Sequence, residues 1–402
     1  MSLFQRLILI FSFVFILGLI IAYGRGYRLN FNEKTLTSTG ILAITSSPKA
    51  AKIFINGEFK GATDSNLTLS PGKYQVEIKK EGYTSWKKEV ILKGEWVVPI
   101  NAVLFSLNPS LSPLTNLGVN KAFPLDNTDK ILIFSQKNDL ESDGIYLFEN
   151  PKTTINILPP LKLLVTKKKL PEVDFETAEV VFSPDYKEAI VIFTNQSTFF
   201  KSQTAYLLSL DQENQEPFDV TTSKETLIST WEKEKQERLL KILNTYPKDL
   251  VKIASDSFKI ISFSPDETKF LYQPLKNLTL PLIIKPPLIA TNQTPEQRNL
   301  IKGKLYLYDR KEDKNYQITE IKQEDWIKNP EFLQWYFDSK HLVFQENKKI
   351  IVIDYDNLNR QTLYSGPFQS GFFNVTSNGK LIILANLNPE TNPLPDLYLV
   401  DF

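Results

Sequence analysis

The sequence predicts a mainly β protein in three parts: an N-terminal single transmembrane helix, a small β-sandwich, and a five-bladed β-propeller with an inserted helix. Six blades are the alternative. Three observations predict this. Leu7 to Tyr23 runs 17 residues without a charge. Short alternating apolar runs, punctuated by Asn56-Gly57, Pro71-Gly72 and Gly82-Tyr83, fill the stretch after it. One hairpin then recurs five times, and recurrence of a supersecondary unit is the mark of a repeat architecture.

The apolar run comes first in the chain. About 20 helical residues at 1.5 Å each cover the roughly 30 Å hydrocarbon core of a bilayer. Residues 1–6 read as a short tail, 7–23 as the anchor and 24–39 as a polar spacer. A cleaved signal peptide is the alternative, because Ala22-Tyr23-Gly24 offers small residues, but the apolar region is long for one. Arg25, Arg28 and Lys34 outnumber Arg6, which by the positive-inside rule favours a cytoplasmic location for the domains after the helix. A six-residue tail leading straight into an apolar run has the opposite implication, that of a signal anchor. The expectation is a single-pass cell-membrane protein whose C-terminal domains lie outside the cytoplasm.

Residues 40–105 alternate with a period of two at Ile53-Phe54-Ile55 and at Tyr74, Val76 and Ile78. Five short strands are expected in a compact sandwich or barrel, with Asn56-Gly57 as a two-residue hairpin turn. This stretch resembles a PEGA domain at Ser47-Pro48, Ala51, Ile53, Ile55, Asn56-Gly57, Gly61, Leu69, Pro71-Gly72, Tyr74, Val76, Gly82-Tyr83 and Trp86. It departs in the motif that names the family: the family's Glu is Lys49 and its Gly is Ala50. The resemblance implies a β-module of envelope proteins with a role in binding, and no catalytic residues.

Residues 106–402 hold the repeats. The clearest copy is Ile261 to Tyr272, followed by Val180 to Phe193 and Phe332 to Phe344, with weaker copies at Ala122 to Phe134 and Phe372 to Leu384. An aromatic residue stands three positions before an Asp in four copies: Phe123/Asp126, Phe182/Asp185, Phe263/Asp266 and Trp335/Asp338. The last copy relaxes this to Val375/Asn378. The register marks are 59, 81, 72 and 40 residues apart. A propeller blade takes about 40–45 residues, so the longer steps carry insertions, at 159–174, 222–255 and 273–302. Third strands begin at Gly144, Thr204, Gly303, Lys349 and Asp396. Fourth strands are expected at TINILPP (residues 154–160), PFDVTT, NYQITEI and QTLYSG. The fifth repeat has no fourth strand of its own, and residues 110–118 are expected to supply it and so close the ring. The Asp residues read as turn caps, with Pro presetting φ beside them. The repeats resemble WD-type and Tol-system β-propellers over residues 106–402, which implies an interaction platform.

Among the insertions, 159–174 reads as a basic, apolar loop, with Lys167-Lys168-Lys169 a candidate membrane contact. Residues 222–246 read as an amphipathic helix opened by a capping box at Thr222 and Glu225. Leu227, Trp231, Leu239, Ile242 and Leu243 form its apolar face. Residues 273–302 hold five Pro among many Leu and Ile, and long apolar loops are uncommon without a reason. The partner-binding candidates are therefore Trp231 on the helix and Leu282, Ile283, Ile284, Leu288 and Ile289 on the loop.

Other chemistry has little support. Lys and Arg number 47 against 46 Asp and Glu, and without a basic run nucleic acid is not an expected partner. Cys is absent and His341 is the only His, which excludes disulfides, typical zinc sites and His-based triads. His341 is expected at the surface. No phosphate loop, dinucleotide fingerprint or G-x-S-x-G elbow is present, which argues against a prolyl-peptidase-type hydrolase. Asp139 to Gly144 approaches a calcium loop, but Asn150 stands where its bidentate Glu belongs. No catalytic, cofactor or metal residue is named, and no cofactor is expected. The reading is a non-enzymatic envelope scaffold that meets a protein or a surface glycan. Its rivals are a propeller hydrolase or lyase with a carboxylate-lined channel, and a cytoplasm-facing signalling scaffold.

Overall fold

The structure, a computed structural model, describes residues 3–24, 27–30, 35–126, 128–137, 142–150, 161–170, 173–196, 201–289, 291–321, 333–390 and 392–402. The chain divides into two compact units: Met1–Asn108 with Ile284–Glu296, and Pro109–Ile283 with Gln297–Phe402.

The first unit opens with helix α1, Leu3–Gly24. It takes in Gln5 and Arg6, which read in sequence as part of a tail. It is long and apolar enough to cross a membrane, none of its apolar stretch is buried in the protein, and a signal sequence has the same properties. Part of the expected spacer is a hairpin, β1 (Tyr27–Asn30) paired with β2 (Thr35–Ser38).

Seven strands come next where five were expected: β3 (Gly40–Ser47), β4 (Lys52–Ile55), β5 (Glu58–Ala62), β6 (Ser65–Leu69), β7 (Gly72–Lys79), β8 (Trp86–Leu92) and β9 (Val97–Val103). They form two sheets, ordered β6-β3-β9 and β5-β4-β7-β8, with β3 and β9 parallel. The alternating residues of both sheets meet in one core that includes Leu42, Ile44, Ile53, Ile55, Val76 and Ile78. Strands β5 and β6 leave little trace in the sequence because neither contributes a fully buried side chain. Asn56 and Gly57 both have positive φ (51° and 85°), as a two-residue hairpin turn requires. Ala50, where the resemblance implies a Gly, also has positive φ, at 59°.

Among its described residues the second unit contains five four-stranded antiparallel sheets. The first comprises β11 (Val119–Pro124), β12 (Lys130–Ser135), β13 (Gly144–Glu149) and β14 (Leu161–Thr166). The second comprises β15 (Glu179–Phe182), β16 (Glu188–Gln196), β17 (Lys201–Ser209) and β18 (Phe218–Asp219). Helices α2 (Lys224–Leu243) and α3 (Lys248–Ser257) lead to the third, made of β19 (Phe258–Phe263), β20 (Lys269–Pro274), β23 (Tyr306–Asp309) and β24 (Lys314–Gln317). A separate pair, β21 (Leu278–Thr279) and β22 (Asn299–Leu300), interrupts that sheet in sequence. The fourth comprises β25 (Leu333–Trp335), β26 (His341–Glu346), β27 (Lys349–Asp354) and β28 (Gln361–Tyr364). The fifth joins β29 (Phe373–Val375), β30 (Leu381–Ala385) and β31 (Asp396–Asp401) to β10, Ser110–Pro113. Ser110 pairs with Asp401 and Pro113 with Tyr398. The Asp396 carboxylate then accepts from Leu117 N–H (2.8 Å) and Gly118 N–H (3.1 Å).

The second strands read as continuous apolar runs because both of their faces are covered. Apolar side chains of the first and second sheets share one core around Phe134, Phe175 and Phe193. The first and fifth share another around Ile131, Ile133 and Ile382, and the third and fourth a further one around Leu307, Leu342 and Ile353. Gln334 of the fourth sheet donates to Phe373 O and accepts from Val375 N–H of the fifth, both at 2.9 Å. Helix α2 packs Trp231 onto Ile190, Ile192 and Ala205 of the second sheet, and Leu243 near its other end onto the third.

Several expectations change. The first sheet's fourth strand is Leu161–Thr166, inside the stretch expected to be an insertion; residues 154–160 lie outside the described residues. Pro159 and Pro160 have no N–H to give a ladder, whereas Leu164 and Val165 just beyond them are fully buried. The expected capping box does not form. Ser223, not Thr222, precedes the helix, and its side chain caps nothing. The turn there is already held by Ser223 N–H bonded to Val220 O at 3.0 Å. Tyr246-Pro247 ends α2 but also starts α3, whose Leu250 and Ala254 are buried on the third sheet.

His341 is not at the surface: it is 4% exposed. Its Nδ1 lies 2.7 Å from Asp338 Oδ2 and its Nε2 lies 3.3 Å from Asp354 Oδ1. Burial opposes a charge on the ring, but the two carboxylates outweigh it and push the imidazolium's pKa up to about 10.

Candidate functional site

The repeated turn explains how the site arises. Its first residue donates its N–H to the carbonyl that opens the next strand: Ser183 to Glu188, Ser264 to Lys269, Tyr336 to His341 and Thr376 to Lys380. Two positions on stand Asp185, Asp266, Asp338 and Asn378, which tie the turn down. Ser264 Oγ donates to Asp266 Oδ1 (2.8 Å), and Thr268 N–H donates to the same oxygen (3.1 Å). Asp185 repeats this with Ser183 (2.8 Å) and Lys187 N–H (3.2 Å). Burial alone would raise the Asp266 carboxyl, but these hydrogen bonds hold it far below the usual carboxylate range.

The first copy is out of step by one residue. Its opening bond runs from Leu125 N–H to Lys130 O at 3.1 Å. The capping position therefore falls at residue 127, outside the described residues, and Asp126 occupies the place of Pro184 and Pro265. Among the described residues the Asp126 carboxylate has no hydrogen-bond partner. Thr128 serves this turn instead: its hydroxyl donates to Leu125 O (2.7 Å) and accepts from Lys130 N–H (3.1 Å).

Asp126, Pro184 and Pro265 all line a cavity of about 810 Å³, within the size range of small-molecule sites. Its walls are the first three turns and the ends of β15 and β19, with Val180, Phe182, Tyr186 and Phe263 on the apolar side. Helix α2 passes over it. The ends of the helix that face it are apolar, with Ile228 and Trp231 at one end and Leu239 and Ile242 at the other. The middle turn presents Glu232, Lys235 and Arg238. One Arg238 nitrogen donates to Pro184 O, which fixes the helix to the second turn. Asp126 remains open to the cavity, yet the surrounding protein pushes its carboxyl above the ordinary value, with Lys235 acting in the opposite direction. Burial and the Asp126 charge push the Tyr186 phenol up.

The structure disperses the residues singled out from sequence. Trp231 is 9% exposed and forms part of the cavity wall, so it offers no outer surface. Leu282 is 41% exposed, and Ile283 packs against the third sheet. Ile284, Leu288 and Ile289 fall in the first unit, where Ile289 is 72% exposed. In the same unit Gln293 clasps the edge strand β8, accepting from Ile91 N–H (2.5 Å) and donating to Ile91 O (2.7 Å). Of the basic triplet, Lys169 bonds Glu213 (3.2 Å) and Gln215 (2.8 Å), and Lys167 lies over the Phe175 ring. Of the calcium-like loop, Asp139 and Glu141 lie outside the described residues, and Asp143 accepts from Lys137 N–H at 2.6 Å.

Sequence reasoning missed Asp126, Lys235 and Arg238 as site residues. The available signal was Pro124-Leu125 in the first copy, where the second and third copies have Ser-Pro before Asp.

Comparison with known proteins bears on the first unit. Residues 39–107 match the PEGA domain. No curated protein matches the chain. Among solved structures, the chain is similar to one from a structural and mechanistic analysis of two prolyl endopeptidases, at 8% identity and a TM-score of 0.23, over 88% of this chain and 50% of that one. The chain thus spans half the length of that structure, and at such a TM-score the likeness carries no argument about fold or activity.

Proposed function

We propose that this chain is a membrane-anchored, non-enzymatic protein of the cell envelope that displays its PEGA domain and a five-bladed β-propeller as a binding platform for a protein or glycan. The observation that carries the reading is α1, an apolar helix with none of its apolar stretch buried in the protein, followed after a short hairpin by a domain of the PEGA type. Five sheets of the same strand order, cores shared from sheet to sheet, and the pairing of Ser110–Pro113 with Asp396–Asp401 support a closed ring. In that ring β11, β15, β19, β25 and β29 are the inner strands, and the cavity under α2 lies at one end of the axis. Rigid blades would fix the cavity walls, so a ligand meets a preformed surface.

Two measurements test this. A reporter fused after Phe402 is expected to be active on the outer side of the membrane; activity on the cytoplasmic side contradicts the placement. Cross-linking in intact cells, with α1 retained, is expected to capture envelope protein or polymer. Capture of neither contradicts the platform.

A further inference from the structure

We propose that the cavity beneath α2 binds an uncharged sugar ring, as part of an envelope glycan. This rests on the binding-platform reading and names what its cavity takes.

The lining has two characters at close quarters. The aromatic side chains Phe182, Tyr186, Phe263 and Trp231 contribute to it. The charged side chains Asp126, Glu232, Lys235, Arg238 and Glu267 contribute as well. Asp126 lines the cavity, its carboxyl without a hydrogen-bond partner among the described residues, and Lys235 lines it without an ion pair to any of them. Lys235 is nonetheless near enough to influence the Asp126 carboxyl.

Charge selects among ligand classes. The lining carries Asp126, Glu232 and Glu267 against Lys235 and Arg238, so neither sign dominates. A polyanion or a polycation would meet like charge on one side of the cavity. A sugar hydroxyl both donates and accepts, so neighbouring hydroxyls can satisfy a carboxyl and an ammonium together. The apolar C–H face of the ring is then free to lie against an aromatic face.

The test uses the full chain in lipid nanodiscs, titrated calorimetrically with neutral tetrasaccharides of glucose, galactose, mannose and N-acetylglucosamine. An acidic tetrasaccharide of galacturonate and an apolar tetrapeptide serve as competitors in class. Saturable binding of at least one neutral tetrasaccharide is expected. Asp126→Ala and Lys235→Ala are each expected to weaken it at least tenfold without lowering the melting temperature. Lys241→Ala, on the same helix but outside the lining, is expected to leave it unchanged. No saturable binding of any neutral sugar, preference for the acidic sugar or the peptide, or indifference to both lining substitutions would overturn the proposal. If envelope cross-linking persists while neutral sugars fail to bind, the sugar assignment falls and the platform stands; loss of both removes both.

Discussion

Asp126 and Asp266 sit in turns that read alike in sequence, and their carboxyls are held in opposite ways. Asp266 accepts hydrogen bonds from Ser264 and Thr268, which keep it ionised far into acid. Asp126, displaced by one residue, lacks such bonds among the described residues; burial beside the cavity raises its carboxyl's pKa and Lys235 opposes the rise. A slip of one position in a repeated turn is thus enough to convert a structural carboxylate into one available to a ligand. The same backbone turn persists in both, because the opening bond from the first residue to the next strand does not involve the Asp side chain.

The largest effect that sharpens this contrast belongs to the fourth copy, where Asp338 holds the Asp266 position and binds His341. His341→Ala leaves Asp338 and Asp354 without their buried cation and is expected to destabilise the second unit by about 3–5 kcal/mol, measured by chemical denaturation at pH 6. The folded-state pKa of His341 is raised from 6.5 to about 10. Its stabilisation is therefore complete below pH 6.5 and is lost as the pH rises through about 10. The variant is expected to lack that alkaline decline.

Next in size is Asp266→Ala, which removes the turn's cap and is expected to cost about 1–2 kcal/mol at pH 7. Because the Asp266 pKa is depressed, its contribution is present above the ordinary value of 3.8 and is lost as the pH falls toward the folded value. The gap between wild type and variant is expected to narrow in acid.

A departure from a motif need not create a site. Ala50 in the PEGA domain has a positive φ, at a steric cost to its Cβ. Ala50→Gly is expected to stabilise the first unit by about 0.5–1 kcal/mol, the strain relief offset in part by glycine's greater entropy loss, and thermal melting of that unit measures it. The smallest stability effect is expected at Asp126. Its folded pKa is raised, so its ionisation weakens the fold as the pH rises above 3.8, and Asp126→Asn is expected to raise the melting temperature slightly at pH 7 but not below pH 3.5.

The five-fold hairpin repeat, the apolar leader and the PEGA features were legible because each rests on local periodicity or turn chemistry. The alternation at Ile53 and Ile55 and the apolar run Lys130–Ser135 are visible within a few residues of chain. Features that depend on register and on distant partners were not legible. The aromatic-to-Asp spacing groups Asp126 with the turn caps, and only the backbone bond at Leu125 shows the slip. His341 reads as a surface residue beside Lys340, because Asp354 is thirteen residues away and reaches it only across the sheet, where the two are register partners. The polar turn of α2 reads as solvent-facing, and Glu232, Lys235 and Arg238 are exposed; that they also border a cavity is not visible locally, because the cavity is built from three separate repeats.

The most direct test of the contrast between the two turns is a pH titration of the side-chain carboxyl carbons by NMR in protein carrying 13C-labelled aspartate, with Asp126→Asn and Asp266→Asn spectra assigning the two signals. The Asp126 carboxyl is expected to titrate above 3.8 and the Asp266 carboxyl well below it. Two carboxyls titrating together below 3.8 would mean that Asp126 caps its own turn, and would contradict the account.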